Sequence, residues 1–373
     1  MIVERYDPIN LCELIPNLRL EMDADLAALD RLLEDDVLFQ RVKADLARRY
    51  PNTLTLGRHS TPVEVILRML IVRRLYDWSY EQTEHFVSDS LVLRQFCRLY
   101  LKPAPDDSTL IRWAALIGPE TLEEVNKRVV ALARSLKVTR GRKLRTDGTV
   151  VETNIHHPSD NSLLSDGVRV LSRLVRRAKD VVGQSVQAAT SAFRDRSRSA
   201  KRLNRRIVAA ARRSGEAGEA ARRTIYRQLL KVTEASLGQA RTVHQGLASC
   251  ADAGAERIRR EIDRFVPLVE QVVSQTYRRV VLGEVVPAAE KVVSLFEPHT
   301  CVIRRGKADK PTEFGRKIWL DEVDGGIVSS YRVLEGNPPD AEQLAASLAQ
   351  HRRLFGRAPH TLAGDRGVHS AEN

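Results

Sequence analysis

The 373-residue sequence predicts a mixed α+β protein: an N-terminal helical domain, then an α/β core interrupted by a long basic helical insertion. Three observations predict this. Helix-start signals follow one another closely through the first 120 residues. β-branched, glycine-punctuated texture occurs twice, around "KLRTDGTVVETNI" and again after "FEPHT". Between those two β regions runs helical periodicity with few strong breakers. The expected boundaries are 1–136 for the helical domain, 137–160 and 299–373 for the two parts of the core, and 161–298 for the insertion.

The elements follow in order. "DADLAALDRLLEDDVLFQRVKADLARRY" carries Leu26, Leu29, Leu33, Val37 and Leu38 at helical spacing. At "HSTPVEVILRMLIVRRLYDW", Thr61 reads as an N-cap, Pro62 as the first helical residue and Glu64 as the partner in a capping box. Ser79 and Gln82 repeat that signature, and "DDSTLIRWAALIG" starts a further helix after the Pro103–Pro105 break. Such short helices with tight connections suit a helix-turn-helix-like DNA reader and suit any small helical domain equally. From Lys137 the pattern turns to a strand with Asp147 in its middle. In the helical block, Ile262, Val266, Val269, Val273, Thr276 and Val280 form one stripe, and Pro267 and Pro287 are expected to kink or divide the helices. "EFGRKIWLDEV" and "IVSSYRVL" flank a DGG turn and predict a hairpin. A helix capped by Asp340, with Gln343 in the box position, ends at Gly356. A short strand, Thr361 to Ala363, runs into Gly364 and Asp365.

Net charge is +12, and it is concentrated. Between Arg169 and Arg260 stand 22 Lys/Arg against 7 Asp/Glu, so the rest of the chain is slightly acidic. A segment this basic points to a polyanion, nucleic acid foremost, or else to a solvated charge-rich hairpin. Cys12, Cys97, Cys250 and Cys301 lie far apart with no metal-type spacing, as expected of free thiols in a reducing compartment. No secretory layout and no long apolar run is present, so the chain is expected in the cytoplasm without a membrane span.

Asp147 and Asp365 are 218 residues apart, but excising 161–298 leaves eighty. That length suffices for one compact mixed α/β unit in which the first and last strands are neighbours. Two close carboxylates stay ionised together only around a cation, for which Mg2+ or Mn2+ is the natural choice. The alternative is a turn cap at Asp365 and an unrelated Asp147. Spacing alone leaves both open.

"TDGTVVETNIHHPSDNSLLSDGVRVLSR" resembles the first-aspartate block of bacterial insertion-sequence transposases of the DDE class. "FEPHTCVIRRGKADKPTEFGRKIWLDEVDGGIVSSYRVLEGNP" followed by "LAGDRG" resembles their second-aspartate block. "DWSYEQTEHFVSDSLVLRQFCRLY" and "PDDSTLIRWAALI" are similar to their N-terminal helical region. The resemblance implies an RNase H-like core, a two-metal Mg2+ or Mn2+ site, and cleavage at transposon ends followed by strand transfer into target DNA. It implies Asp147 and Asp365 as the first two metal-binding acids. The family's third acid, a glutamate on a later helix, has no counterpart here, since Glu372 lies too close to Asp365. The sequence therefore reads as C-terminally truncated. A catalytically inactive remnant that binds DNA or inhibits transposition is the alternative, and a bare, aggregation-prone sheet edge is expected.

Paired basics Arg176/Arg177, Arg205/Arg206 and Arg212/Arg213 are candidate phosphate contacts, as are Lys307, Lys310 and Lys317 near the hairpin. The expected partners are transposon-end and target DNA and a second copy of the chain, with no small-molecule substrate; nucleoid association follows. His156, His157, Asn154 and Asp160 are expected to shape a loop. Trp78, Trp113 and Trp319 read as core anchors.

Overall fold

The computed structural model describes residues 1–8, 20–50, 52–53, 55–57, 59–182, 193–212, 215–248, 250, 252–304 and 311–370. Two compact units divide the chain. Unit one comprises Met1–Lys143 and Glu322–Ser330, and unit two comprises Leu144–Asp321 and Tyr331–Asn373. Among the described residues no helix is long and apolar enough to cross a membrane.

Unit one is helical: α1 (Ala24–Leu32), α2 (Asp36–Leu46), α3 (Val63–Leu75), α4 (Tyr80–Asp89), α5 (Leu91–Phe96), α6 (Asp107–Ala114) and α7 (Pro119–Ser135). The amphipathic stretch from Leu26 to Leu38 is two helices, because Asp35 restarts the chain by accepting from the Val37 and Leu38 amides. That break leaves Val37 exposed while Leu26 stays buried. Ser79 and Gln82 form the expected capping box at α4. The box expected at Thr61 and Glu64 does not form. At α3 the Val63 and Glu64 amides donate instead to the carbonyls of Val3 and Glu4, so distant backbone satisfies the free helix end. Glu64 is thereby available to Arg68 at 3.1 Å. Ile66, Met69, Phe96, Leu110 and Trp113 make the core.

The turn at 324–326 belongs to this unit. Asp324 accepts from the amides of Arg140 at 2.8 Å, Arg142 at 2.7 Å and Lys143 at 3.2 Å. Burial raises its pKa, and these three amides outweigh burial, leaving it lowered from 3.8 to about 2. A lowered folded pKa contributes stability that is full above the unfolded value and is lost as pH falls through the folded one. Asp324→Asn is therefore expected to lower the melting temperature at neutral pH. The gap from the parent should close between about pH 4 and pH 2 in thermal melts followed by circular dichroism.

Unit two joins a helical bundle to a sheet. The bundle is α8 (Asp160–Val182), α9 (Ser197–Ala210), α10 (Glu216–Leu247) and α11 (Ala253–Thr276), ending in a π turn over Tyr277–Leu282. One apolar core, including Leu164, Leu171, Leu229, Ile258, Ile262 and Val269, runs through it. Gly167 allows α8 close to α11, since a β-carbon there would meet Val269 Cγ1 at 2.9 Å. Of the two expected effects of Pro267, division does not occur: it lies inside the continuous α11. Burial of Phe265, Val269 and Val272 around it offsets the lost hydrogen bond. The buried face is also rotated from the expected stripe: Phe265 and Val272 are inside where Val266 and Val273 were expected, and both of those are only partly buried.

The sheet contains β1 (Lys143–Glu152), β2 (Cys301–Arg304), β3 (Thr312–Val323), β4 (Ile327–Val333) and β5 (Thr361–Ala363). Its order is β2-β3-β1-β5, with β4 also pairing with β3 as the hairpin signal predicts. β2 runs antiparallel to β3, Cys301 opposite Gly315 and Arg304 opposite Thr312. Gly315 admits the backbone of β1: a β-carbon there would stand 2.1 Å from the Val151 carbonyl oxygen. Trp319 is fully buried and donates from Nε1 to Ser347 Oγ at 2.9 Å. Ser347 lies on α12 (Leu344–Phe355), which ends at Gly356 with φ of 71°.

Candidate functional site

β1 alternates strictly through its first half. Leu144, Thr146 and Gly148 are buried, while Lys143, Arg145 and Asp147 face out. β5 is the neighbour of β1 and lies at the edge of the sheet. Gly364, just beyond β5, lies against Thr146: a β-carbon on it would stand 3.4 Å from the threonine hydroxyl. Asp147 thus follows Thr146 on β1, with its side chain on the opposite face, and Asp365 follows Gly364 just past β5. Both are exposed. The Asp365 carboxylate accepts from the Gly367 amide at 2.9 Å, capping the short turn Arg366–Val368.

A third carboxylate stands nearby that sequence reasoning assigned to a helix cap. Asp340 Oδ1 pairs with Lys317 Nζ at 2.6 Å, and that ammonium also donates to the Pro338 carbonyl at 2.6 Å. A β-carbon at Gly367 would lie 3.1 Å from Asp365 Oδ1 and 3.2 Å from Asp340 Oδ2, so both carboxylates close on this glycine. A β-carbon at Gly148 would lie 3.4 Å from Asp340 Oδ1. Lys317, with only 8% of its side chain exposed, neutralises Asp340 from within.

Carboxylate oxygens are the hard donors that magnesium and manganese prefer, so the donor type fits. The number falls short: among the described residues no group of three or more His, Cys, Asp or Glu is arranged to hold a metal. Glu372 lies outside the described residues. His156 Nε2 is 3.7 Å from Asp166, and His157 meets Phe314 edge-on at 5.7 Å. Asp160 receives Arg279. These contacts give the loop side chains internal partners.

The basic candidates divide. Arg176 pairs with Asp195, and Arg177 pairs with Glu261 at 3.1 Å. Arg206 reaches Gln228 at 3.5 Å. Arg205 and Arg212 are exposed and have no partner among the described residues. Arg213, Lys307 and Lys310 lie outside the described residues. The Arg222/Arg223 pair on α10 went unnoticed, although it carries the same doubled-arginine signal as the pairs that were singled out.

Residues 17–116, within unit one, match the model of a family described as a transposase domain, DUF772. That match supports a transposase family. An uncharacterized protein, ORF8 in the nfe locus of Rhizobium meliloti, is 29% identical over 130 residues, which is 33% of this chain and 61% of that protein. The chain thus spans less than two thirds of that relative's length. No solved structure matches.

Proposed function

We propose that the chain is a DDE-class DNA transposase that binds element ends, cuts them and joins them to target DNA. The observation that supports this best is the pairing of β1, which carries Asp147, with β5, which runs into Asp365, although the two aspartates are 218 residues apart in sequence. The transposase-domain match in residues 17–116 agrees with it. On this reading the sheet is an RNase H-like core interrupted by the basic bundle, and Asp147 and Asp365 hold magnesium. Magnesium, when bound, supplies charge that polarises a phosphodiester and its attacking oxygen. The aspartates' part is to fix that charge beside the middle of β1, where the chain leaves β5. The chain acts on cytoplasmic, nucleoid-associated DNA as a homodimer, one copy for each element end.

A second reading is a DNA-binding remnant without cleavage. It is favoured by the absence, among the described residues, of a third ligand beside the two aspartates. The test is to incubate the full chain with supercoiled plasmid carrying its own gene and several hundred flanking base pairs. Magnesium-dependent nicking at the flanks is the expected result. Binding without nicking leaves the second reading, and no binding at all removes both.

A further inference from the structure

The expected phosphate contacts fall on α8, on and just past α9 and near the hairpin, but a built polar cavity lies where the ends of α8, α9 and α10 meet the π turn. Its volume is about 520 Å³, and Ser159, Asn161, Arg222, Arg223, Tyr226 and Arg279 line it. Two of its walls are fixed: Tyr226, buried, donates its hydroxyl to Asn161 Oδ1 at 3.1 Å, and Asn161 in turn donates to Asn204. Arg279 is held by Asp160, its Nε donating at 2.6 Å and one terminal nitrogen also engaged. Its other terminal nitrogen makes no contact with Asp160.

The charges do not cancel. Among the described residues Glu219 is the one carboxylate in the lining, and it stands 3.9 Å from Arg222, too far for a hydrogen bond. Asp160 offsets Arg279. Arg223 has no partner among the described residues. Guanidinium forks match the paired oxygens of a phosphate, and a polar pocket excludes an apolar guest. The cavity also adjoins exposed cations of α9 and the turn after it, where Lys201, Arg202, Arg205 and Arg212 have no partners among the described residues. A strip of free cations leading to a pocket of arginines suits a polyanion whose backbone tracks the helix.

We propose that this cavity seats one backbone phosphate of bound DNA, with Arg222 and Arg223 as the ligating forks and Arg279 held in place by Asp160. The proposal rests on the DNA-binding reading above. Arg223 is a sound probe because no described contact is lost when it is replaced. The experiment measures binding of the full chain to a fluorescent duplex by anisotropy across a salt series. Arg223→Gln is expected to weaken binding to all sequences alike and to reduce the salt slope by about one. Val208→Trp fills the cavity mouth and removes no charge, yet is expected to lower the slope as well. Loss of slope in Arg223→Gln but not in Val208→Trp would make Arg223 an ordinary surface contact and overturn the pocket. So would wild-type slopes in both. Failure of the parent chain to bind any duplex would instead bring down the DNA reading itself.

Discussion

Asp147→Asn and Asp365→Asn are each expected to lower magnesium-dependent nicking by about 10²–10³-fold, the scale of losing one group that stabilises developing charge. Asparagine keeps the shape of each side chain and removes its charge. At Asp147 the strand is undisturbed, because the side chain faces out and its buried neighbours are Thr146 and Gly148. At Asp365 the amide oxygen still accepts from the Gly367 amide, so the turn survives. Binding to the duplex should therefore persist in both variants while cutting fails. If nicking proceeds at parental rates in either, that aspartate takes no part in the chemistry. Removing magnesium with a chelator should reproduce the loss in the parent.

Arg68→Ala is expected to destabilise unit one by about 3 kcal/mol, near the low end of the range for breaking a buried ion pair. Arg68 is 1% exposed and donates to Asp30 at 2.5 Å, to Glu64 at 3.1 Å and to the Phe96 carbonyl at 3.1 Å. Its guanidinium also lies 5.3 Å from the centre of the Phe96 ring. Alanine would leave two shielded carboxylates facing each other. Arg98, 2.9 Å from Asp30 and 3.8 Å from Glu64, offsets part of that, which sets the effect at the lower end. For a unit of this size the loss corresponds to roughly 6–12 °C in melting temperature. Replacing Asp30 and Glu64 by leucine together with Arg68→Met should recover most of it, since a packed apolar trio needs no compensation. A shift below about 2 °C in Arg68→Ala would show that the network contributes little. All five residues lie inside the transposase-domain match.

What could be read in the sequence was local, and what could not was distant. The Ser79–Gln82 box was legible because cap and partner are three residues apart. Thr61 carried the same type of signal, yet residues 3 and 4 reach the α3 amides first, a competition with no local trace. Pro267 reads as a breaker until the packing of Phe265 and Val269 is known. Asp340 is the clearest case. Its proline-flanked position signals a cap, and its partner is Lys317, on a strand more than twenty residues earlier. The adjacency of β1 and β5 was legible because removing the helical block leaves both strands in one short unit, whereas the roles of Asp147 and Asp365 come from the resemblance. The free arginines of the bundle were half legible. Doubled arginines stand out in sequence, but only the fold tells that Arg176 and Arg177 have carboxylates while Arg205, Arg212 and Arg223 do not.

The central claim is that Asp147 and Asp365 share one cation. Manganese titration of the full chain, followed by electron paramagnetic resonance of the free ion, tests it without depending on cleavage. Bound manganese is expected in the parent, with at least tenfold weaker binding in Asp147→Asn and in Asp365→Asn alike, and no further loss in the double variant. Parental affinity in either single variant, or independent additive losses in the double, would contradict it.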